Sequence, residues 1–365
     1  MKIAIFNWRD IKHPQAGGAE LYFYELAKRW ISWGNEVTWF TSMFEGAKKL
    51  DKIDGMNIVR SGGKFSVYLK SPIAYLNSKK DFDVIIDSEN GIPFFTPLFA
   101  KPKIILHMHH LHKEVWFKEM PFPMALLGYF LETKLVPFIY RKSRIITVSK
   151  SSADEIIREK FTRFKPEVVN PGIEFYKYKK FARTKRPSIL FLNRIKKYKG
   201  IQILLDAVCE LKNKGFDKFD VFIAGSGDDL ERMEIYAQEK KLDNVKFLGR
   251  ISEEKKKELM QKAWVFVNPS FKEGWGIVNI EANYFGTPVI GSNVGGIKDS
   301  VLDGKTGLLF SYGNSKELAN KIKYLIENKN ISKKMSKEAK KWAMNFDWNS
   351  KAKSYLNMLN KIAKS

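Results

Sequence analysis

The chain has a single cysteine, Cys209, in 365 residues. One thiol, in a helical stretch, excludes a disulfide framework and points to a reducing compartment. Long apolar runs are missing too: no unbroken stretch is long enough to cross a bilayer. Met1 leads directly into the strand-like KIAIFN, so no secretory leader is expected and the expected location is the cytoplasm. Short-period repeats and low-complexity segments are also lacking, which leaves a globular chain. Acidic residues are scarce beside basic ones: 40 Asp and Glu face 64 Lys and Arg, a net charge of +24, with +10 over residues 1–180 and +14 over the rest. Such an excess suits an anionic partner. Nucleic acid is one option, but no nucleic-acid module is recognisable and the basic residues are spread through both halves, so none is expected. An anionic membrane surface fits better, placing the protein peripherally on the cytoplasmic membrane face.

What is present is apolar material in a regular alternation. Hydrophobic residues make up 44% of the chain and aromatics 14%, ample for packed cores, and the length calls for two domains of roughly 150 to 200 residues. In the first half KIAIFN, EVTWFT, FDVIIDS, KIILHMH and RIITVS read as short strands with helices such as 19–32 between several of them. In the second half SILFLN, FDVFIAG, NVKFLG, AWVFVNP, PVIGS and GLLF repeat the pattern. Strands alternating with helices imply parallel sheets covered on both faces, so the fold class is α/β with two Rossmann-like domains. Asn170-Pro171-Gly172 is a turn signal, and ten basic residues with no acidic one lie between Lys177 and Lys199, a run expected to be linker or cleft rim. The expected division is 1–175, 176–345 and a tail helix over 346–365.

The most informative stretch is FKEGWGIVNIEANYFGTPVI, residues 271–290, where Glu273 and Glu281 stand eight positions apart. Glu273 is expected on the loop leaving a strand stopped by Pro269, and Glu281 about one turn or more into the following helix, so both can face one crevice. The Gly274-Trp275-Gly276 backbone can approach a ligand closely, and the helix start at Ile277 offers amides to an anion. One carboxylate for sugar hydroxyls, one for a ribose diol and amides for a diphosphate describe a site for a nucleotide sugar. Taken alone, two glutamates at this spacing are more often solvated surface charges.

Glu273-x7-Glu281, followed by Gly286-Thr-Pro-Val289 and Gly295-Gly296, resembles the donor-site signature of the retaining glycosyltransferases of family 4, which have the GT-B architecture. Gly17-Gly18-Ala19-Glu20 resembles that family's glycine loop, Asn193-Arg194 to Lys199-Gly200 its Gly-Arg…Lys-Gly segment with the first glycine replaced, and Val221 to Gly227 a further strand and glycine turn. The resemblance implies two Rossmann-like domains facing a deep cleft, a C-terminal helix crossing back to the first domain, an acceptor-binding first half and a donor-binding second half. It implies transfer, with retention, of a hexose from a UDP- or GDP-linked sugar to a glycan, lipid-linked or phospholipid acceptor. A GT-B sugar-nucleotide epimerase and a basic nucleic-acid-binding protein are the alternatives.

The chemistry assigns the roles. Charge grows on the departing phosphate, where fixed cations and amides lower the barrier most. Arg194 and Lys199 resemble the family's diphosphate-binding pair, Arg as a fork and Lys as a point charge. Gly17, Gly18, Gly225, Gly274, Trp275, Gly276 and Ile277 are expected at the donor, Glu281 at the ribose, and Glu273 at the sugar hydroxyls; the competing explanation for the first glycines is an ordinary strand-to-helix turn. Glu273 is also the only nearby carboxylate for a covalent route, and sequence leaves that route and front-face attack both open.

Four of the five histidines lie in His107-Met-His109-His110-Leu-His112. His-x-His puts two rings on one face of a strand, yet no acidic or cysteine ligand stands nearby in sequence. His109 resembles the family's active-site histidine, and His110 replaces the acidic residue that often follows. No Asp-x-Asp is placed to bridge a diphosphate, since Asp81-Phe-Asp83 begins a strand, so neither a divalent metal nor another cofactor is expected. Residues 115–141, VWFKEMPFPMALLGYFLETKLVPFIYR, have the composition of an interfacial helix; a partly buried core helix fits the same residues equally well.

Overall fold

The computed structural model describes residues 1–176 and 178–364; Lys177 of the basic run and Ser365 of the tail lie outside the described residues. The chain forms two compact units, Met1–Gly172 with Asp347–Ser365, and Ile173–Phe346.

In the first unit the strands are β1 (Lys2–Phe6), β2 (Glu36–Thr41), β3 (Leu50–Ile53), β4 (Met56–Arg60), β5 (Val84–Glu89), β6 (Lys103–Met108), β7 (Arg144–Thr147) and β8 (Glu167–Val168). They form one sheet in the order β3-β4-β2-β1-β5-β6-β7-β8. Every neighbouring pair is parallel except β3 with β4. Ile3 to Phe6 of β1 and Val84 to Ile86 of β5 are unbroken apolar runs because these strands are buried on both faces. The β3–β4 hairpin was not expected from sequence: Asp54 and Gly55 both take positive φ, 45° and 85°, a two-residue turn that an Asp-Gly pair favours. The helices are α1 (Gly18–Ser32), α2 (Val67–Asn77), α3 (Glu114–Glu119), α4 (Phe122–Phe130), α5 (Val136–Tyr140) and α6 (Lys150–Arg158). A π-turn over Leu131–Leu135 joins α4 to α5. Pro137 has no amide to give a carbonyl one turn back, and the helix widens there. The continuous helix Phe122–Tyr140 is 19 residues, long and apolar enough by length and composition to cross a bilayer. It lies in the segment where no unbroken apolar run was expected, because only Glu132 and Lys134 interrupt it.

In the second unit β9 (Ser188–Leu192), β10 (Asp220–Ala224), β11 (Val245–Gly249), β12 (Val265–Asn268), β13 (Val289–Ser292) and β14 (Gly307–Phe310) form a sheet in the order β11-β10-β9-β12-β13-β14. All its pairs are parallel. The helices are α7 (Ile201–Asn213), α8 (Leu230–Glu239), α9 (Glu253–Lys262), α10 (Ile277–Tyr284), α11 (Ile297–Ser300), α12 (Ser315–Glu327) and α13 (Lys329–Ala343). Alternation along β9 sends Ile189 and Phe191 into one core with α7 and α12, and Leu190 into another with Phe266, Ala282 and Ile297. The basic run is not rim throughout. Arg183 is half-buried in this unit, donating to the Gly286 carbonyl at 3.1 Å and to Ser332 Oγ at 3.4 Å, and burial lowers its pKa.

The last helix, α14 (Trp348–Lys364), belongs to the first unit. Trp30 of α1 donates its indole N–H to the Ala352 carbonyl at 3.0 Å, and the Tyr355 ring packs 5.4 Å from Trp30. Gly172 admits this helix, because a Cβ there would come within 2.7 Å of the Trp348 backbone.

Candidate active site

The strand order of the second unit reverses between β9 and β12, from which the chain runs outward in opposite directions. Ligands in open α/β sheets lie at the carboxyl ends of the strands at such a switch point. The loops leaving those two strands carry residues 193–200 and 269–276, and they meet. Glu273 Oε1 accepts from Lys199 Nζ at 2.6 Å, from Asn193 Nδ2 at 3.1 Å and from Ser270 Oγ at 3.2 Å. Both partners of the ion pair are largely buried, at 6% and 14% side-chain exposure. Behind Glu273 runs a polar ladder: Ser270 Oγ donates to Asn268 Oδ1 at 2.7 Å, Asn268 Nδ2 to Asn279 Oδ1 at 3.0 Å, and Asn279 Nδ2 to Ser300 Oγ at 2.9 Å. Buried polar groups fixed in this way hold one geometry.

Glycines let the loops close on one another. A Cβ at Gly200 (φ +72°) would sit 2.2 Å from the Pro269 carbonyl oxygen, and one at Gly296 2.0 Å from that of Gly274. Gly296 also donates its amide to the Glu273 carbonyl at 3.0 Å, so the Gly295-Gly296 pair backs the carboxylate loop. Gly276, at φ +82°, turns the chain into α10, whose first amides have no carbonyl a turn earlier to bond. Two residues expected at the donor have other work. Gly225 gives its amide to the Gly249 carbonyl at 2.8 Å and needs its missing Cβ to clear the Asn193 carbonyl oxygen. The Trp275 ring is buried against Phe346, centroids 5.1 Å apart, and its indole N–H has no hydrogen-bond partner among the described residues.

Arg194 is exposed at the same rim, with no ion-pair partner for its guanidinium among the described residues. Glu281 is not in the Glu273 network. It faces α9, where Lys256 Nζ lies 2.9 Å from Oε1. Burial opposes the charge on Lys256, and Glu281 with Glu253 outweighs it, raising the pKa.

In the first unit the order reverses between β1 and β5. After β1, Gly17 donates its amide to Glu20 Oε2 at 2.7 Å, while a Cβ at Gly18 would meet nothing within 4 Å. Gly18 and the helix start are therefore open, and the Gly17 amide is engaged. β6 sends the His107 and His109 rings to the α1 face, centroids 4.6 Å apart, against Tyr22 and Phe23. Burial lowers the His109 pKa to about 3, with His112 adding to the effect, so its imidazole is neutral; its buried Nε2 has no hydrogen-bond partner among the described residues. His107 is held by the Tyr355 hydroxyl, 3.3 Å from Nδ1.

Sequence spacing missed one cluster, Glu89, His112 and Glu132, whose possible ligand atoms lie within 4.8 Å of one another. Glu132 Oε1 accepts from the His112 amide at 2.5 Å and Oε2 from the Lys113 amide and Trp116 Nε1 at 2.7 and 3.1 Å. Burial raises the Glu89 pKa well above the usual range and the Glu132 charge adds to it; at Glu132 burial is the largest single influence, but the hydrogen bonds and charge of His112 together with the Lys113 amide outweigh it and lower the pKa. Glu89 Oε2 and His112 Nδ1 are buried with no hydrogen-bond partner among the described residues.

The family model for glycosyl transferases group 1 matches residues 172–342, and that for glycosyltransferase family 4 matches residues 16–175. The chain belongs to the group 1 glycosyltransferases. This glycosyltransferase is 25% identical, over 78% of its length and 76% of the other's, to an uncharacterized glycosyltransferase of Methanocaldococcus jannaschii. It is 30% identical to the D-inositol 3-phosphate glycosyltransferase of Streptomyces avermitilis over 57% of this chain and half of that one. Its fold is that of the GT-B enzymes. Sucrose-phosphate synthase from Thermosynechococcus elongatus superposes with a TM-score of 0.81 over all of both chains at 19% identity. Anabaena HepE in complex with UDP-glucose gives 0.79, covering 99% of this chain and 100% of that one at 18% identity. Asn268, Ser270 and Asn279 are the residues of this glycosyltransferase that motif reading passed over, and Asn193, noted there only as a replaced glycine, proves to donate to Glu273. Asn193 stands 80 positions from Glu273 and Asn268 11 from Asn279, beyond the reach of a local pattern, whereas Ser270 lies within three residues of its partners.

Proposed function

We propose that the protein moves a hexosyl group, with retention, from a UDP- or GDP-linked sugar to a hydroxyl of a glycan, a lipid-linked glycan or a phospholipid. The Lys199–Glu273 pair at the switch point, beside the open amides of α10, carries this reading. Lys199 and Arg194 take the diphosphate, Glu273 the sugar hydroxyls, and Glu281 the ribose. In the reaction the C1–O bond to the β-phosphate breaks and its electron pair leaves with the phosphate. The acceptor oxygen joins C1 on the same face, and its proton passes to a leaving phosphate oxygen. Neutral His109 serves as a hydrogen-bond partner and carries no charge. The second unit receives the donor and the first unit the acceptor. HepE, similar in fold, was solved with UDP-glucose, which supports a nucleotide-sugar donor, and the D-inositol 3-phosphate relatives support an anionic polyol among the acceptors to be tried.

A thermal-shift screen of nucleoside diphosphates tests the donor. UDP or GDP should raise the melting temperature by several degrees at millimolar concentration, and the nucleotide that does so should support hexosyl transfer when supplied as its sugar. Equal indifference to both would remove the donor site.

A further inference from the structure

The helix Phe122–Tyr140 is fixed along one side and bare along the other. On the inner side Ala125, Gly128, Glu132, Val136 and Tyr140 are buried. Trp116 fills the space a Cβ at Gly128 would need, Glu132 caps the start of α3, and the Tyr140 hydroxyl donates to Asp87. On the outer side Phe122, Leu126, Phe130, Lys134 and Phe138 recur every fourth residue, and the four apolar ones are exposed, Phe122 by 70% and Phe138 by 80%. Four-residue steps in a plain α-helix overshoot a full turn by about 40° each, so this row would wind off the surface. The π-turn at Leu131–Leu135 takes part of that rotation back and keeps Phe138 on the face of Phe122.

We infer that this face lies in the interface of a bilayer containing anionic lipid, with the helix parallel to the membrane plane. Crossing the bilayer would pull Glu132 and Tyr140 from buried partners on the sheet side; lying flat leaves both in place. Charge selects the occupant. Between residues 120 and 143 the only acid is Glu132, which points inward, whereas Lys134, Arg141 and Lys142 are exposed. A second copy docked on the same face would oppose cation to cation. An anionic headgroup layer complements the cations and takes the phenylalanines into the acyl boundary. The inference stands apart from the transfer reaction and is read without donor or acceptor.

The experiment is sedimentation of the full chain with phosphatidylcholine vesicles, with and without phosphatidylglycerol. Binding should appear with phosphatidylglycerol and weaken as salt rises, because exposed charges are screened beyond about 8 Å at physiological ionic strength. Phe130→Ser with Phe138→Ser should reduce the partition coefficient at least about tenfold, and Arg141→Glu with Lys142→Glu should abolish the preference for phosphatidylglycerol. All four side chains are exposed, so unchanged melting temperatures separate lost docking from lost fold. Equal binding of wild type and the phenylalanine variant, indifference to phosphatidylglycerol, or a dimer that the same substitutions dissolve would each overturn the inference.

Discussion

At the scale of single residues, Glu273 and Arg194 divide stability from catalysis. Glu273 neutralises a nearly buried ammonium, so Glu273→Ala leaves Lys199 uncompensated and should lower both turnover and melting temperature. Arg194 is exposed and unpaired among the described residues, so Arg194→Ala should leave the melting temperature unchanged. Each substitution should reduce turnover by at least about two orders of magnitude if the side chain meets the donor in the transition state. Steady-state kinetics beside circular dichroism decides the matter, and near-normal transfer by Arg194→Ala would sink the proposed site. The Glu273 loop was legible because strand, glycine turn and helix are contiguous in sequence. The work of Gly225 and Trp275 was not, since no local pattern separates a glycine that meets a ligand from one that meets the Asn193 carbonyl. Glu281 reads the same in either role from its spacing; only the fold brings Lys256 to it.

At the scale of elements, the loop after β9 is built around Gly200, whose φ of +72° and 2.2 Å approach to the Pro269 carbonyl oxygen leave no room for a methyl group. Gly200→Ala should therefore separate the two loops that hold Lys199 and Glu273. A destabilisation of at least about 2 kcal/mol is expected, a fall of roughly 4–8 °C in the melting temperature of a unit this size. Differential scanning calorimetry checks it, and an unshifted melt would mean that the loops do not depend on this contact. The parallel strands were legible from their apolar runs. The β3–β4 hairpin was not, although Asp54-Gly55 announced its turn, because LDKI is short, polar and on the sheet edge. The π-turn is equally silent in sequence: Pro137 reads as a helix break, and the buried row Glu132, Val136 and Tyr140 holds the helix continuous through it.

At the scale of the whole molecule, the net charge of +24 bears on how the departing diphosphate is neutralised. With Arg194 and Lys199 supplying that charge, transfer should survive EDTA with only a small change in rate, measured on protein stripped of divalent ions. Loss of activity on chelation and its return with magnesium or zinc would show that the side chains are insufficient, and would reopen Glu89, His112 and Glu132 as ligands. The docking of α14 on α1 has a consequence for synthesis. The Trp30 indole N–H goes to the Ala352 carbonyl and its ring packs on Tyr355, both of which follow Phe346, so the first unit to begin emerging from the ribosome is the last to be completed. The whole of Ile173–Phe346 must be translated in between, which at 5 to 20 residues per second takes roughly ten to thirty seconds. During that interval the Trp30 side of α1 is wet, and a nascent chain is most exposed to aggregation and to chaperones at its oldest end.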